Sequence, residues 1–291
     1  MKRKSIHLFD VVNTLIMVLL MVITVYPVIY VFSMSISDPA AVLAEKVRLL
    51  PIGFSLEAYR LVFSNVSILR YYANTVLYAA TGTLGMLLVT MLTAYALSRP
   101  SFFLKKRFTV FISVTMFFSG GLVPAFMVNN ALGLYGTRWI MILPGMASAW
   151  NIIIARVYIK DTIGEALVEA AQIDGYNDVR ILFAIIIPLA KPILAYLALG
   201  SIVGHWNSYF NALIYLPDQR MHPIQLFLMR LLIQNSDEAS KAAGADYGDM
   251  YRYTTLLKYA AIMVTMAPIM CVYPFLQKYF VKGIMIGSIK G

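Results

Sequence analysis

Long apolar runs are the feature that most constrains how this chain folds. Windows of roughly 20 apolar residues recur along the sequence, and this length is enough for an α-helix to cross the hydrocarbon core of a bilayer. The windows are Val11–Phe32, Tyr72–Leu97, Phe108–Val128, Trp139–Ile159, Pro192–Leu216 and Leu256–Phe280. The pattern predicts an all-α integral membrane protein with about six transmembrane helices.

The composition agrees with a membrane protein. Hydrophobic residues make up 60% of the 291 residues and charged residues only 13%, with a mean hydropathy of +0.74. In soluble domains roughly a quarter of the residues are charged. The net charge of +10 would suggest nucleic acid in a soluble protein, but here Lys and Arg cluster beside apolar runs, where they orient helices and meet anionic lipid. We therefore expect membrane lipid, and no nucleic acid, as a partner.

The basic residues also predict an orientation. The first window has about 22 residues, longer than the apolar region of a signal peptide, so an uncleaved first span is expected. With six crossings, the following basic residues fall on one side: Lys2, Arg3, Lys4, Arg99, Lys105, Lys106, Arg107, Lys278, Lys282 and Lys290. By the positive-inside rule this side, with both termini, faces the cytoplasm. The segments 34–71 and 217–255 would then face outward.

One apolar region is too long for a single crossing. It runs from Ile181 to Tyr215, about 35 residues, and is interrupted by Pro188, Lys191 and Pro192. Proline inside a helix removes a hydrogen bond and clashes with the preceding turn. We therefore expect a helix over about Asn177–Ile187 and a fifth span that begins near Pro192.

The third window also contains residues that disturb a helix. These are Ser119, Gly120, Gly121 and Pro124. Inside a bilayer, irregular backbone is tolerated where it is buried in protein or lines a wet cavity. The alternative is a simple kink that lets helices pack closely.

The segment between windows four and five predicts a short helix. Its sequence over 161–192 is DTIGEALVEAAQIDGYNDVRILFAIIIPLAKP. Thr162 and Glu165 have the spacing of a capping box, and Gly175 is a helix stop. The expected helix covers about Ile163–Asp174.

The faces of this predicted helix differ. Its small and apolar residues fall on one side: Ala166, Leu167, Ala170 and Ile173. Glu165 and Glu169 lie one turn apart on another side. Such a helix is suited to docking into a groove on a partner. The alternative is an interfacial helix resting on lipid, although such helices favour Lys and Arg on the polar face.

The same segment resembles the EAA motif of permease subunits in binding-protein-dependent ABC importers. The matching residues are Glu169, Ala170, Ala171, Gly175, Ile185 and Pro188, with Ile187 in place of the usual leucine. The motif precedes the penultimate span, as it does in that family. Trp206, Asn207 and the C-terminal sequence GIMIGSIKG extend the similarity to the MalG-like sugar permeases.

This resemblance implies a type I ABC importer permease (MetI-like) fold, with residues 1–291 forming one multi-pass domain in a bacterial cell (inner) membrane. In such importers two permease subunits, usually different, form the pathway, two ATPase subunits bind beneath them, and an extracellular or periplasmic binding protein delivers the sugar. The cytoplasmic loop at about 161–191 that carries the motif would couple this chain to the ATPase through Glu165, Glu169, Ala170, Ala171, Asp174, Gly175 and Pro188.

The chain contains no GxxxxGK[ST] phosphate loop, so it is not expected to hold ATP in the familiar way. ATP and Mg²⁺ are expected on the partner ATPase subunits, and this chain is expected to carry no cofactor and not to be an enzyme.

Residues for a sugar path are suggested in the fifth window. Aromatic rings bind the apolar faces of sugars, while amides and hydroxyls satisfy sugar hydroxyl groups. The candidates are His205, Trp206, Asn207, Tyr209 and Asn211, followed by Asn129 and Asn130. The alternative is that Trp206 and Tyr209 pack between helices or form an interfacial aromatic belt. The resemblance implies an oligosaccharide but not which one.

Other functions remain to be weighed against this one. An ABC permease for a non-sugar solute would look similar. A secondary transporter would place ionisable residues within its spans, where His205 is the main example here. An intramembrane enzyme would need a catalytic set such as HExxH, whereas the histidines are isolated. Cys271 is the single cysteine, so neither a disulfide nor a Cys-based zinc site can form within the chain. No catalytic or metal site is predicted.

Overall fold

The computed structural model describes residues 8–64, 66–237 and 255–271, and its regular structure is helical. The helices are α1 (Leu8–Ser35), α2 (Pro39–Leu43), α3 (Glu57–Ser64), α4 (Val66–Ser98), α5 (Lys105–Phe117), α6 (Leu122–Ala131), α7 (Ala149–Thr162), α8 (Glu165–Ile173), α9 (Asp178–Leu189), α10 (Lys191–Trp206), α11 (Phe210–Tyr215), α12 (Ile224–Asp237) and α13 (Thr255–Cys271). Short 3-10 turns occupy Arg138–Met141, Leu143–Gly145 and Gln219–Met221. The predicted all-α class is confirmed.

Two helices in the described ranges, α1 and α4, are long and apolar enough to cross a membrane without a break. Two bent pairs meet the same criteria together: Arg138–Gly145 with α7, at 42°, and α9 with α10, at 82°. The third window is divided between α5 and α6, and the fifth window continues past α10 only as the short helix α11. The predicted windows therefore contain fewer straight helices than a simple span count suggests. The last residues of the sixth window lie outside the described ranges.

The expected breaks have local causes. Between α5 and α6, Gly121 adopts φ +82°, a left-handed conformation that glycine adopts without steric cost. The helix expected to end at Ile187 continues to Leu189, and the chain turns sharply before α10. Pro188 is accommodated because the preceding turn, Leu182–Ile186, widens into a π-helix, a form that absorbs helix irregularities. Pro192 lies in the first turn of α10, where its missing N–H leaves no hydrogen bond unmade.

The described residues form two compact units, divided after residues 69, 227 and 267. In the unit that contains α1, hydroxyl groups secure the chain that follows this helix. Ser33 donates to the carbonyl of Leu49 at 2.8 Å, and Ser37 donates to the carbonyl of Ser33 at 2.6 Å. The large apolar side chains along most of α1 are exposed, as they would be on a helix surrounded by lipid.

The other unit, residues 70–227 with the chain after 267, holds both candidate sites. One of its hydrophobic clusters joins the second half of α4 to α7, α8, α9 and α10, with Ala94, Ala155 and Ile186 fully buried. Another cluster surrounds Tyr78 near the start of α4. There Asn74 donates to the carbonyls of Arg220 and His222, at 2.8 and 3.0 Å, which fixes the segment before α12 against α4.

Candidate functional site

The short helix α8 begins differently from the prediction. The capping box is wrong, because Thr162 is the last residue of α7 and Gly164 stands at the N-cap of α8 without a side-chain hydrogen bond. The backbone N–H of Ile163 still bonds to the carbonyl of Ile159 at 3.0 Å. Thr162 could cap α8 only if α7 ended before it, and α7 includes this residue. The buried Ile163 then leads the chain from α7 to α8.

The end of α8 follows the prediction. Gly175 adopts φ +80° and donates to the carbonyl of Gln172 at 3.0 Å, while Tyr176 donates to the carbonyl of Ala171 at 2.9 Å. These two bonds form a Schellman motif, which requires the left-handed conformation that glycine provides. The predicted helix stop is confirmed.

Helix α8 presents two contrasting faces. Its inner face consists of Val168 and Ala171, which are buried in the hydrophobic cluster of α4, α7 and α9. Its outer face, as we call it, consists of the exposed residues Ala166, Leu167, Ala170 and Ile173. Ile173 is 87% exposed and Leu167 44%. The acidic residues Glu165 and Glu169 are also exposed and border the outer face.

The chain after α8 is tied to neighbouring helices by polar contacts. The Asn177 side chain accepts from the backbone of Arg180 at 2.8 Å and caps α9. The Arg180 guanidinium lies 4.0 Å from the centroid of the Tyr176 ring. Tyr95, near the end of α4, donates to Asp178 at 3.2 Å. These contacts link the chain after α8 to α9, and α9 to α4.

The predicted coupling residues occupy different environments. Glu165, Glu169, Ala170, Asp174 and Gly175 are exposed on or directly after α8. Ala171 instead faces inward, and Pro188 lies in the last turn of α9.

A second candidate site is a cavity of about 640 Å³. It is bordered by α4, the segment from Ile140 to Asn151, α10, the loop that follows α10 and the start of α11. Its hydrogen-bonding side chains are Asn151, Tyr196, Ser201, His205, Ser208 and Asn211, and its apolar lining includes Met86, Ile140, Pro144 and Val203. The lining thus combines apolar surface with amide, hydroxyl and imidazole groups.

The imidazole of His205 has a defined environment. Its Nδ1 lies 2.9 Å from the backbone carbonyl of Ser201, and because a carbonyl only accepts, Nδ1 carries the proton of that bond. In the neutral ring Nε2 is then a hydrogen-bond acceptor. A β-carbon at Gly82 would overlap Nε2, and one at Gly145 would lie 3.6 Å from it. Glycine at position 82 therefore makes room for the ring.

The other residues predicted for the sugar path are not all brought to this cavity. Trp206 is buried, with its ring edge-on to Tyr72 at 5.9 Å between centroids. The Asn207 side chain accepts from Gln225 at 3.1 Å, and the exposed Tyr209 ring packs edge-on against Phe210. His205 and Asn211 are the predicted residues that line the cavity.

The second-choice asparagines lie elsewhere. Asn129 donates to the Tyr215 hydroxyl at 3.1 Å and borders a separate groove of about 410 Å³ beside the break at Gly121. Asn130 is exposed.

Sequence reasoning missed several cavity residues. Leu197, Ser201 and His205 are spaced four residues apart, which places them on one face of α10, and this spacing could have identified Ser201. Asn151 carries no comparable signal, because its place at the cavity depends on the bend between Gly145 and α7. Among the described residues, no group of three or more His, Cys, Asp or Glu side chains is arranged to hold a metal ion.

Comparison with known proteins gives consistent results. The family described as "binding-protein-dependent transport system inner membrane component" matches residues 86–286. The polygalacturonan/rhamnogalacturonan transport system permease protein YtcP of Bacillus subtilis (strain 168) is 36% identical over 285 residues, 98% of this chain and 99% of the relative. Protein LplC of the same organism is 34% identical over 294 residues, 99% and 97% of the two chains.

A solved structure is also similar along nearly the whole chain. It is the crystal structure of a bacterial ABC transporter involved in the import of the acidic polysaccharide alginate. The match has a TM-score of 0.85 and 34% sequence identity, and it covers 96% of this chain and 99% of the other.

Proposed function

The chain belongs to the family of binding-protein-dependent transport system inner membrane components, and from that premise we propose that it is the permease subunit of an ATP-driven carbohydrate importer. The family is one of transport components in the membrane, not of enzymes, and the fold is that of the MetI-like importer permeases. The observation that carries the proposal is the 36% identity to a polygalacturonan/rhamnogalacturonan permease, which extends over 98% of this chain.

The solute we propose is an oligosaccharide released from a larger polysaccharide. The names of the relative and of the alginate transporter both refer to polysaccharides. The mixed lining of the cavity suits such a solute, because sugars present apolar faces and hydroxyl groups together. His205, Ser201 and Asn211 would bind hydroxyls, and a different second permease would complete the pathway.

We assign the coupling role to α8. Its outer face leaves Leu167 and Ile173 exposed, and apolar side chains that a partner covers stabilise an interface through the surface they remove from water. The buried inner face and the Tyr95–Asp178 hydrogen bond would carry the motion of a bound ATPase subunit into α4. ATP and Mg²⁺ would be held by that subunit, and an external binding protein would supply the sugar.

The proposed orientation places α8 and both termini in the cytoplasm. Arg99 and Lys105 border the same small pocket as Glu165 of α8, so the basic loop after α4 lies beside α8. The positive-inside rule then assigns this end to the cytoplasm.

Labelling of single cysteines on either side of α4 tests this orientation. Ser64 and Ser101 flank this unbroken helix and are exposed. In a Cys271→Ser background, an impermeant thiol reagent applied to intact cells should label Ser64→Cys and spare Ser101→Cys. The reverse pattern would show that the orientation is inverted.

The central test separates coupling from assembly. We expect Glu169→Lys and Gly175→Val each to abolish sugar-stimulated ATP hydrolysis and uptake in the reconstituted importer, while the chain still co-purifies with its second permease. Valine at position 175 would be strained at φ +80°, although its β-carbon would meet no atom of the described residues within 4 Å. The defect would therefore arise from the redirected backbone.

Gly164→Ser is the matched control, because Gly164 has φ −57° and open space around its β-carbon position, and serine is a favoured N-cap residue. It should behave as wild type. Normal stimulation in both Glu169→Lys and Gly175→Val would refute the coupling role.

The alternative functions predict different results. Uptake driven by an ion gradient without ATPase subunits would favour a secondary transporter. Uptake confined to non-sugar solutes would favour an ABC permease for another solute.

A further inference from the structure

A small pocket of about 110 Å³ lies beside α8 in the unit that contains the candidate sites. Three cationic side chains from separate parts of the chain border it: Arg99 follows α4, Lys105 begins α5, and Lys160 belongs to α7. Glu165 is the acidic residue in the lining. The apolar lining includes Pro100, Ile159, Ile163, Val168 and Ile186.

The positive groups of this pocket are poorly matched by acceptors. The Arg99 Nε atom is buried without a hydrogen-bond partner, and the Arg99 guanidinium lies 5.9 Å from the Tyr95 ring centroid. Lys105 donates to the backbone carbonyl of Pro100 at a long 3.4 Å. Three cations against one carboxylate leave an excess of two positive charges. A buried donor of a charged side chain without an acceptor is uncommon and calls for an explanation, such as a bound water or anion.

We propose that this pocket binds the phosphate group of an anionic phospholipid. Its volume equals that of roughly three to four water molecules, which suits a phosphate-sized anion. The planar guanidinium of Arg99 can grip two phosphate oxygens, while the two lysines act as point charges. Basic pockets between helices on the cytoplasmic side of a membrane protein are typical headgroup sites.

The pocket also touches the coupling helix. Glu165 and Val168 belong to α8, whereas Arg99 lies in the turn after α4 and Lys105 begins α5 at the end of that turn. A bound headgroup would therefore fix α8 against that turn. If the proposed function holds, anionic lipid would favour productive docking of the ATPase. The binding itself requires only the proposed orientation in the membrane and not the coupling role.

Thermal unfolding in lipid nanodiscs tests the binding. The assembled importer is placed in nanodiscs of phosphatidylcholine with increasing fractions of phosphatidylglycerol, an anionic lipid. We expect phosphatidylglycerol to raise the melting temperature of the wild type. Arg99→Gln with Lys160→Gln should weaken the apparent lipid affinity about fivefold for each cation removed. Glu165→Gln should strengthen it, because it removes the opposing carboxylate.

Lys106→Gln with Arg107→Gln is the matched control, since both residues are exposed and lie outside the pocket lining. It should retain the wild-type response to lipid. If the Arg99 variant does not assemble, Lys160→Gln alone serves, because Lys160 is exposed and its loss should not affect folding.

The source of the phosphate is resolved by adding inorganic phosphate to the importer in pure phosphatidylcholine. Stabilisation by inorganic phosphate alone, without a response to phosphatidylglycerol, would overturn the lipid assignment in favour of a free anion. An equal response to phosphatidylglycerol in the pocket and control variants would overturn the site. Neither result depends on transport, so neither can be confused with failure of the proposed function.

Discussion

Helix α8 and the cavity beside α10 differ in how the chain builds them. All nine residues of α8 come from one segment, which buries its inner face and leaves apolar side chains outside. The cavity is assembled from several distant segments and is kept open by small residues, including Gly145, Gly200 and Gly204. On the proposed function, α8 acts by contact with a partner and must keep its surface, whereas the cavity belongs to the solute pathway and must keep its volume. Substitutions should therefore impair α8 by removing contact and the cavity by adding bulk.

The largest expected effect concerns the outer face of α8. Leu167→Asp combined with Ile173→Asp should reduce sugar-stimulated ATP hydrolysis and uptake a hundredfold or more, because a few residues near the centre of an interface can each contribute about 2 kcal/mol or more, and an unpaired carboxylate buried there adds a desolvation cost. Both side chains are exposed in this chain, so the melting temperature of the permease should change little. The measurement is ATPase stimulation in reconstituted importer, together with thermal unfolding.

Val179→Asp provides the comparison for this pair. Val179 is 64% exposed on α9, outside α8, and the variant should couple almost normally. Equal losses in both variants would mean that any exposed apolar residue at this end affects coupling, and α8 would lose its special role.

The second effect is steric and concerns Gly82. Gly82→Ala should lower uptake at limiting sugar by about tenfold, because the added methyl group would overlap the His205 ring and overpacking costs about 1–3 kcal/mol. Gly200→Ala adds the same methyl group to the cavity lining, but its β-carbon would meet no atom of the described residues within 4 Å, so it should lower uptake less than Gly82→Ala. The double variant Gly82→Ala, His205→Ala should transport no worse than His205→Ala. A further loss in the double variant would show that Gly82 acts through other contacts.

The contrast between the two sites also explains what could be predicted from sequence. The helix stop at Gly175 and the two faces of α8 depend on residues within one segment, where helical spacing and glycine conformation are decisive. The start of α8 was predicted incorrectly because Thr162 had two possible roles, and the continuing hydrogen bonds of α7 determined which it adopts.

The cavity could be predicted only in part. Trp206 follows His205 in the sequence, but consecutive helical residues point about 100° apart, and Trp206 packs against Tyr72 of α4. Asn151 and Gly82 reach the site only through the packing of distant helices. Sequence spacing therefore identified the helix that lines the cavity but not all of its inward-facing residues.

The third effect concerns the hydrogen bonds that the polar lining of the cavity would make to the sugar. His205→Ala should lower uptake at limiting sugar about five- to tenfold, as expected when one hydrogen bond worth about 1 kcal/mol or slightly more is lost. Asn211→Ala should have a similar effect, since both residues line the cavity. Uptake should be measured across sugar concentrations, because loss of binding is overcome at saturation. A defect that persists at saturating sugar would indicate altered coupling instead of altered binding.

The smallest effect on transport is expected at Trp206, and it tests the boundary of the cavity. Trp206→Phe preserves an aromatic ring beside Tyr72, so uptake should stay within about twofold of wild type. Trp206→Ala should instead destabilise the permease by about 3–5 kcal/mol, as large-to-small substitutions of buried aromatic residues do, because the side chain is buried. The informative pair is thermal unfolding and uptake at limiting sugar, measured for both variants beside His205→Ala. If Trp206→Phe lowers uptake as much as His205→Ala while its melting temperature is unchanged, Trp206 contacts the sugar, and the division between packing residues and path residues on α10 is wrong.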